Sequence, residues 1–206
     1  MDWESIISLI IALLVVIALP LALRRRKKAS AQKREELYQH LKEIGVKASL
    51  VEEGNEREKI GLSRTSGQKS EGIIALQDKN IDSINIISAA SQYGTNYSLD
   101  YLVKSSNITA SRMLKKTRLS VKKSLFLWGK VIAMEWKGDK SLAQSLNFDY
   151  RLKDRLSQRD ATGLRGSIGI FPEPKHGYTR IRTAYSPPSP EIFEALDIIA
   201  RHIKSW

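Results

Sequence analysis

"SPEIFEALDIIARHIK", Ser189 to Lys204, is the stretch whose reading decides the fold. Ser189 suits a helix N-cap, Pro190 the first helical position and Glu191 the positive end of the dipole, while Arg201, His202 and Lys204 suit the last turn. Ile192, Phe193, Leu196, Ile199, Ala200 and Ile203 fall on one stripe at helical spacing. A helix with one apolar stripe must bury it against another layer, and here the predicted layer is a sheet. Glu194 and Asp197 on the polar face argue against a helix lying on a membrane surface. Asp197 is expected to face water.

The strands to be covered lie upstream. Ser167–Phe171 and Tyr178–Tyr185 read as a hairpin around PEPKHG, with His176 in the turn and exposed. Ile181, Thr183 and Tyr185 are expected to face the core, and Arg180 and Arg182 to face water or a partner. Tyr97, Leu99, Tyr101 and Val103 alternate with Ser98, Asp100 and Leu102, the period of a half-buried strand. Ile73–Leu76 and Ile84–Ile87 are short β-branched runs. Leu125–Trp136 reads as one buried strand with a bulge at Gly129, or as a hairpin. Between these, Asp139–Leu156 holds two short helices, with Leu142 and Leu146 on one face and Leu152 and Leu156 on the next. Asp139 is expected to cap the first helix, and Asn147 and Asp149 the second.

Toward the N-terminus the chain changes character. Ile6–Leu23, IISLIIALLVVIALPLAL, carries no charge, and thirteen of its eighteen residues are Leu, Ile or Val. As a helix it would span about 27 Å, the thickness of a bilayer's hydrocarbon core. Pro20 lies within a turn of its end, where a lost hydrogen bond is tolerated. Asp2 and Glu4 precede the segment, and Arg24, Arg25, Arg26, Lys27 and Lys28 follow it. The acidic start and the basic run in place of a cleavage site argue against a signal peptide, and the lack of a polar stripe argues against a core helix. Basic residues beside a span stay in the cytoplasm, so the N-terminus is predicted outside and the bulk of the chain inside, with Trp3 at the outer interface. The same five charges can contact anionic lipid.

The expected organisation is a transmembrane anchor over 1–23, a basic juxtamembrane helix or stalk over 24–45, a polar linker or loop over 46–72, and a cytoplasmic domain over 73–206. Leu37, Leu41 and Ile44 recur along Ala31–Ile44, and Gly45 stops that helix. Glu52–Gly72 reads as a loop. Its GLSRTSGQKS is no phosphate loop, because five residues separate the glycines and a strand pattern follows. The predicted class is α+β: a single N-terminal transmembrane helix, then a small domain with a mostly antiparallel sheet and a C-terminal amphipathic helix.

The 206 residues contain no cysteine, which removes disulfides, thiolate metal sites, a cysteine nucleophile and an acyl-cysteine anchor. His40, His176 and His202 lie in three separate elements without metal-ligand spacing. No G-x-S-x-G elbow singles out a serine, and no carboxylate pair stands apart. Nothing in the sequence asks for a metal or cofactor. A site assembled only by folding is the form an enzyme would take here. Asn96-Tyr97-Ser98 and Asn107-Ile108-Thr109 match a glycosylation pattern that the expected cytoplasmic placement makes incidental.

The net charge is +12, and Arg112–Lys130 holds seven basic residues and no acidic one. A solvated face is the plain reading. The candidate anionic-lipid contacts are Arg24, Arg25, Arg26, Lys27, Lys28, Lys115, Lys116, Lys122 and Lys123. Nucleic acid is the weaker partner for these charges, because no recognition motif accompanies them. The expected role is a binding or scaffolding module at the inner membrane face, with the lipid bilayer and a protein as partners.

Overall fold

A computed structural model of the chain describes Trp3 and residues 31–62, 67–105, 115–123, 131–157 and 168–205. The fold is α+β. Eight strands form one sheet in the order β1-β2-β3-β4-β8-β7-β5-β6, and every described pairing is antiparallel. The strands are β1 (Ala48–Leu50), β2 (Gln68–Leu76), β3 (Ser83–Ser91), β4 (Gly94–Lys104), β5 (Thr117–Lys123), β6 (Val131–Lys137), β7 (Gly169–Glu173) and β8 (Tyr178–Ala184). The helices are α1 (31–43), α2 (Lys140–Phe148), α3 (Tyr150–Ser157) and α4 (Pro190–Lys204).

Strand alternation sorts the side chains into two faces. Register pairs Tyr101 with Ile84 and Ile181, and Leu99 with Ile86 and Thr183. This face packs against all four helices in one core that includes Leu37 and Leu41 of α1, Leu142 and Leu146 of α2, Leu152 and Leu156 of α3 and the stripe of α4. The opposite face holds a smaller apolar cluster, in which Ile60 covers Ile73 and Leu102 beside Val51 and Tyr178.

The local chemistry follows from the residue types. Ser189 accepts from Ile192 N–H at the start of α4, and Asp139 accepts from Ser141 and Leu142 N–H at the start of α2. Asp149 accepts from Leu152 N–H in α3. Asn147 does something else: its amide pairs with both N–H and C=O of Trp136, satisfying the backbone of β6, the sheet's last strand.

Several expectations are corrected. The predicted loop Glu52–Gly72 contains a 3-10 turn at Glu56–Lys59, and β2 begins within it at Gln68. The basic stretch contributes a strand, β5, whose Leu119 lies in the core beside Trp136. Asp197 does not simply face water. Its carboxylate accepts from Asn80 N–H and Nδ2–H and from Ile81 N–H, tying α4 to the β2–β3 turn. Among the described residues no helix is long and apolar enough to cross a membrane, and Ile6–Leu23 lies outside them.

Candidate functional site

Of the nine basic residues singled out from the sequence, the four that are described fall in two separate pairs. Arg24–Lys28 lie outside the described residues. Lys115 and Lys116 are exposed just before β5, and Lys122 and Lys123 occupy its far end. The six residue steps from Lys116 to Lys122 correspond to about 20 Å of strand. Lys116 is not wholly free either, because its ammonium lies 4.3 Å from the Phe171 ring centre.

That ring belongs to a charged site in the middle of the sheet. Arg180 and Arg182 do point away from Ile181, as the alternation of β8 requires. They meet a buried acid rather than water or a partner. Asp100, 0% exposed, is bound by Arg180 Nη1 at 2.9 Å and by Arg182 Nε and Nη2 at 2.6 and 2.7 Å. Arg180 also grips Glu173 Oε1 through Nε and Nη2. Both guanidinium groups lie within 6 Å of the Phe171 ring centre, with carbons at 5.1 and 5.8 Å. Hydrogen bonds to Asp100 raise the Arg182 pKa, against the effect of burial. Gly61, at φ +73°, lets the chain pass over Arg180; a Cβ there would meet its guanidinium. The described hydrogen bonds run between the site's own strands, so its first role is to hold β4, β7 and β8 together.

A second constellation joins three helices. The Ser145 Oγ lies 2.6 Å from His202 Nδ1, and His202 Nε2 lies 2.8 Å from Asp149 Oδ2. A carboxylate only accepts, so Nε2 carries the proton, and in neutral His202 Nδ1 accepts from the Ser145 hydroxyl. Burial pushes the Asp149 carboxyl upward, but hydrogen bonds from His202 and Leu152 N–H, with the charges of His202 and Arg201, bring it below the usual carboxylate range. The residue types are those of a nucleophilic triad, with the two imidazole nitrogens in exchanged roles. Sequence spacing gave no sign of it, because 57 positions separate Ser145 from His202.

A cleft of about 650 Å³ lies where α1 meets the starts of β2 and β4; Arg34, Lys69, Glu71, Ser88 and Tyr97 are among its lining residues. Arg34 packs over Gly72, and its Nη1 is buried with no hydrogen-bond partner among the described residues. Beside the cleft, the Lys33 ammonium sits 4.9 and 4.5 Å from the rings of Tyr97 and Tyr185. Burial, with Glu36 and Tyr97 nearby, pushes Tyr185 up to about 12. It therefore stays a neutral donor to the Lys33 carbonyl. Among the described residues no group of acidic and histidine side chains could hold a metal ion.

Compared with protein-family models, curated proteins and solved structures, the chain finds no match in any of the three.

Proposed function

We propose that the chain is a single-pass membrane protein, N-terminus outside, whose cytoplasmic domain is a binding or scaffolding module at the inner membrane face. The observation that carries this reading is the junction at Leu23: eighteen uncharged residues give way to five consecutive bases. The way α1 is built in supports it. Leu37 and Leu41 are fully buried, the Lys33 carbonyl accepts from Tyr185, and His40 Nε2 donates to the Pro188 carbonyl. Eight residue steps from Leu23 to residue 31 span at most about 30 Å, so an anchored chain would hold the domain close beneath the bilayer. There, each basic residue near the surface gains roughly 1 kcal/mol from anionic lipid. Anionic headgroups and a protein partner are the ligands this reading gives the module.

The test is extraction. Membranes carrying the full-length protein are washed with alkaline carbonate, then with mild detergent. Release only by detergent agrees with the anchor, and release by carbonate contradicts it. Affinity purification from the detergent extract then identifies what travels with the domain.

One observation favours an enzyme as the second reading, namely the chain Ser145–His202–Asp149. Against it, Ser145 lies mid-helix on an exposed surface, the 650 Å³ cleft is lined by none of the three, and Asp149 already caps α3. A fluorophosphonate probe distinguishes the readings. Covalent labelling of Ser145 that disappears in His202→Ala supports the enzyme; an unlabelled protein supports the module.

A further inference from the structure

The β3–β4 hairpin turns between Ser91 and Gly94, and Tyr93 at its tip is 91% exposed. From Ser88 to Ser98 the chain reads SAASQYGTNYS, with no charge, in a protein where 27% of residues are charged. Three contacts place this tip relative to α1. Lys33 reaches the Tyr97 ring, and Arg34 lies over Gly72, midway along β2. Just past the other end of α1, Lys47 pairs with Asp78 in the β2–β3 turn. The helix therefore runs from the hairpin end of the sheet to the opposite end. Four strand residues carry Tyr93 about 13 Å beyond Tyr97, whereas only about 3 Å of helix lies between Lys33 and residue 31. The tip thus projects past the described start of α1. Lys28, the last base of the run after Leu23, stands three positions before residue 31.

We propose that this uncharged hairpin tip rests on the inner leaflet, with Tyr93 at headgroup depth, giving the domain a fixed orientation on the membrane. The inference rests on the proposed N-terminal anchor and adds to it a second point of contact. Tyrosine suits that depth, because its ring is apolar and its hydroxyl stays wet. The surrounding Ser, Gln, Gly, Thr and Asn residues bring no charge that would have to be desolvated. Lys33 beside the hairpin has the sign that matches an anionic leaflet, while Lys69 is paired with Glu71 in a cleft that also holds Glu53 and Glu58. The commonplace reading is an exposed tyrosine on a surface turn. It does not account for the coincidence of an aromatic tip, an uncharged surround and this end of the molecule.

The absence of cysteine gives a clean measurement on the full-length protein in nanodiscs containing anionic lipid. An environment-sensitive fluorophore is placed singly at Gln92→Cys, at Lys79→Cys in the opposite turn, or at Ser8→Cys within the apolar segment. Lipids then carry a quencher either at headgroup depth or deep in the chains. The expected result is about twofold quenching at position 92 by the shallow quencher and none at 79, as an interfacial contact requires. Adding Tyr93→Ser should remove most of the quenching at 92. Equal quenching at 92 and 79, or no effect of Tyr93→Ser, overturns the docking. Position 8 separates the two ideas. Deep quenching there with none at 92 leaves the anchor and rejects the docking. No quenching at 8 rejects the anchor and the docking that rests on it.

Discussion

At the scale of single residues, the structure turns on acids whose partners are far away in sequence. Asp100 is fully buried between two guanidinium groups, so its removal leaves Arg182 without its partner and Arg180 with Glu173 alone. Asp100→Ala should lower the unfolding free energy by about 3–5 kcal/mol. Lys47→Ala, which breaks an exposed pair with Asp78, should leave it nearly unchanged. Urea unfolding of a chain beginning at Ala31 compares the two. Alternation in the sequence already puts Arg180 and Arg182 on the face away from Ile181, and Asp100 away from Tyr101. It does not say that β4 and β8 are neighbours, and that pairing alone turns two solvent-facing arginines into a buried network. Asp197 is the same lesson on a helix: its polar position is legible, but its clamp on Asn80 depends on where the β2–β3 turn lands. Asp197→Ala should therefore cost about 1.5–3 kcal/mol, the usual value of hydrogen bonds to a charged group. Asp149 gives a pH test. Its folded pKa is depressed, so its contribution is present above the unfolded carboxylate value and is lost as pH falls through the folded one. Thermal stability should fall below about pH 4 in the parent and fall less steeply in Asp149→Asn.

At the scale of elements, α4 is legible in full because cap, stripe and basic last turn all agree, and its buried residues are those of the predicted stripe plus Ala195 and Ile198. Leu196→Ala, at the centre of that stripe, should cost about 2–5 kcal/mol. Element β5 was hidden for a physical reason. In Arg118-Leu119-Ser120-Val121-Lys122 the alternation is present, but the charge density made a solvated face the simpler reading. Leu119 is nonetheless buried, while Val121 on the same face is 40% exposed because the strand lies near the sheet's edge. The helix α1 was legible as a helix and not as part of the core, because two leucines one turn apart suit either a free stalk or a packed face. Leu37 and Leu41 settle that, since both are fully buried. A chain beginning at Val46 should consequently melt well below one beginning at Ala31, as circular dichroism would show. Equal melting temperatures would mean that α1 contributes nothing to the core.

At the scale of the whole molecule, a helix-covered antiparallel sheet follows an apolar segment and a basic run, and the account joins them into one object at a membrane. The candidate site was the least legible part. Neither the Asp100 network nor the Ser145–His202–Asp149 chain has a sequence signature, because each assembles across distant elements. Of the basic residues that did stand out, the four that are described fall at opposite ends of β5. The strongest asymmetry in the sequence is acidic residues before the apolar segment and five bases after it, and the proposed topology rests on that asymmetry. The central claim is that the domain ending at Trp206 is cytoplasmic, and a pair of C-terminal fusions tests it most directly. A reporter that works only after export should be silent at Trp206, and one that fluoresces only in the cytoplasm should be bright. An active export reporter with a dark cytoplasmic one would contradict the account.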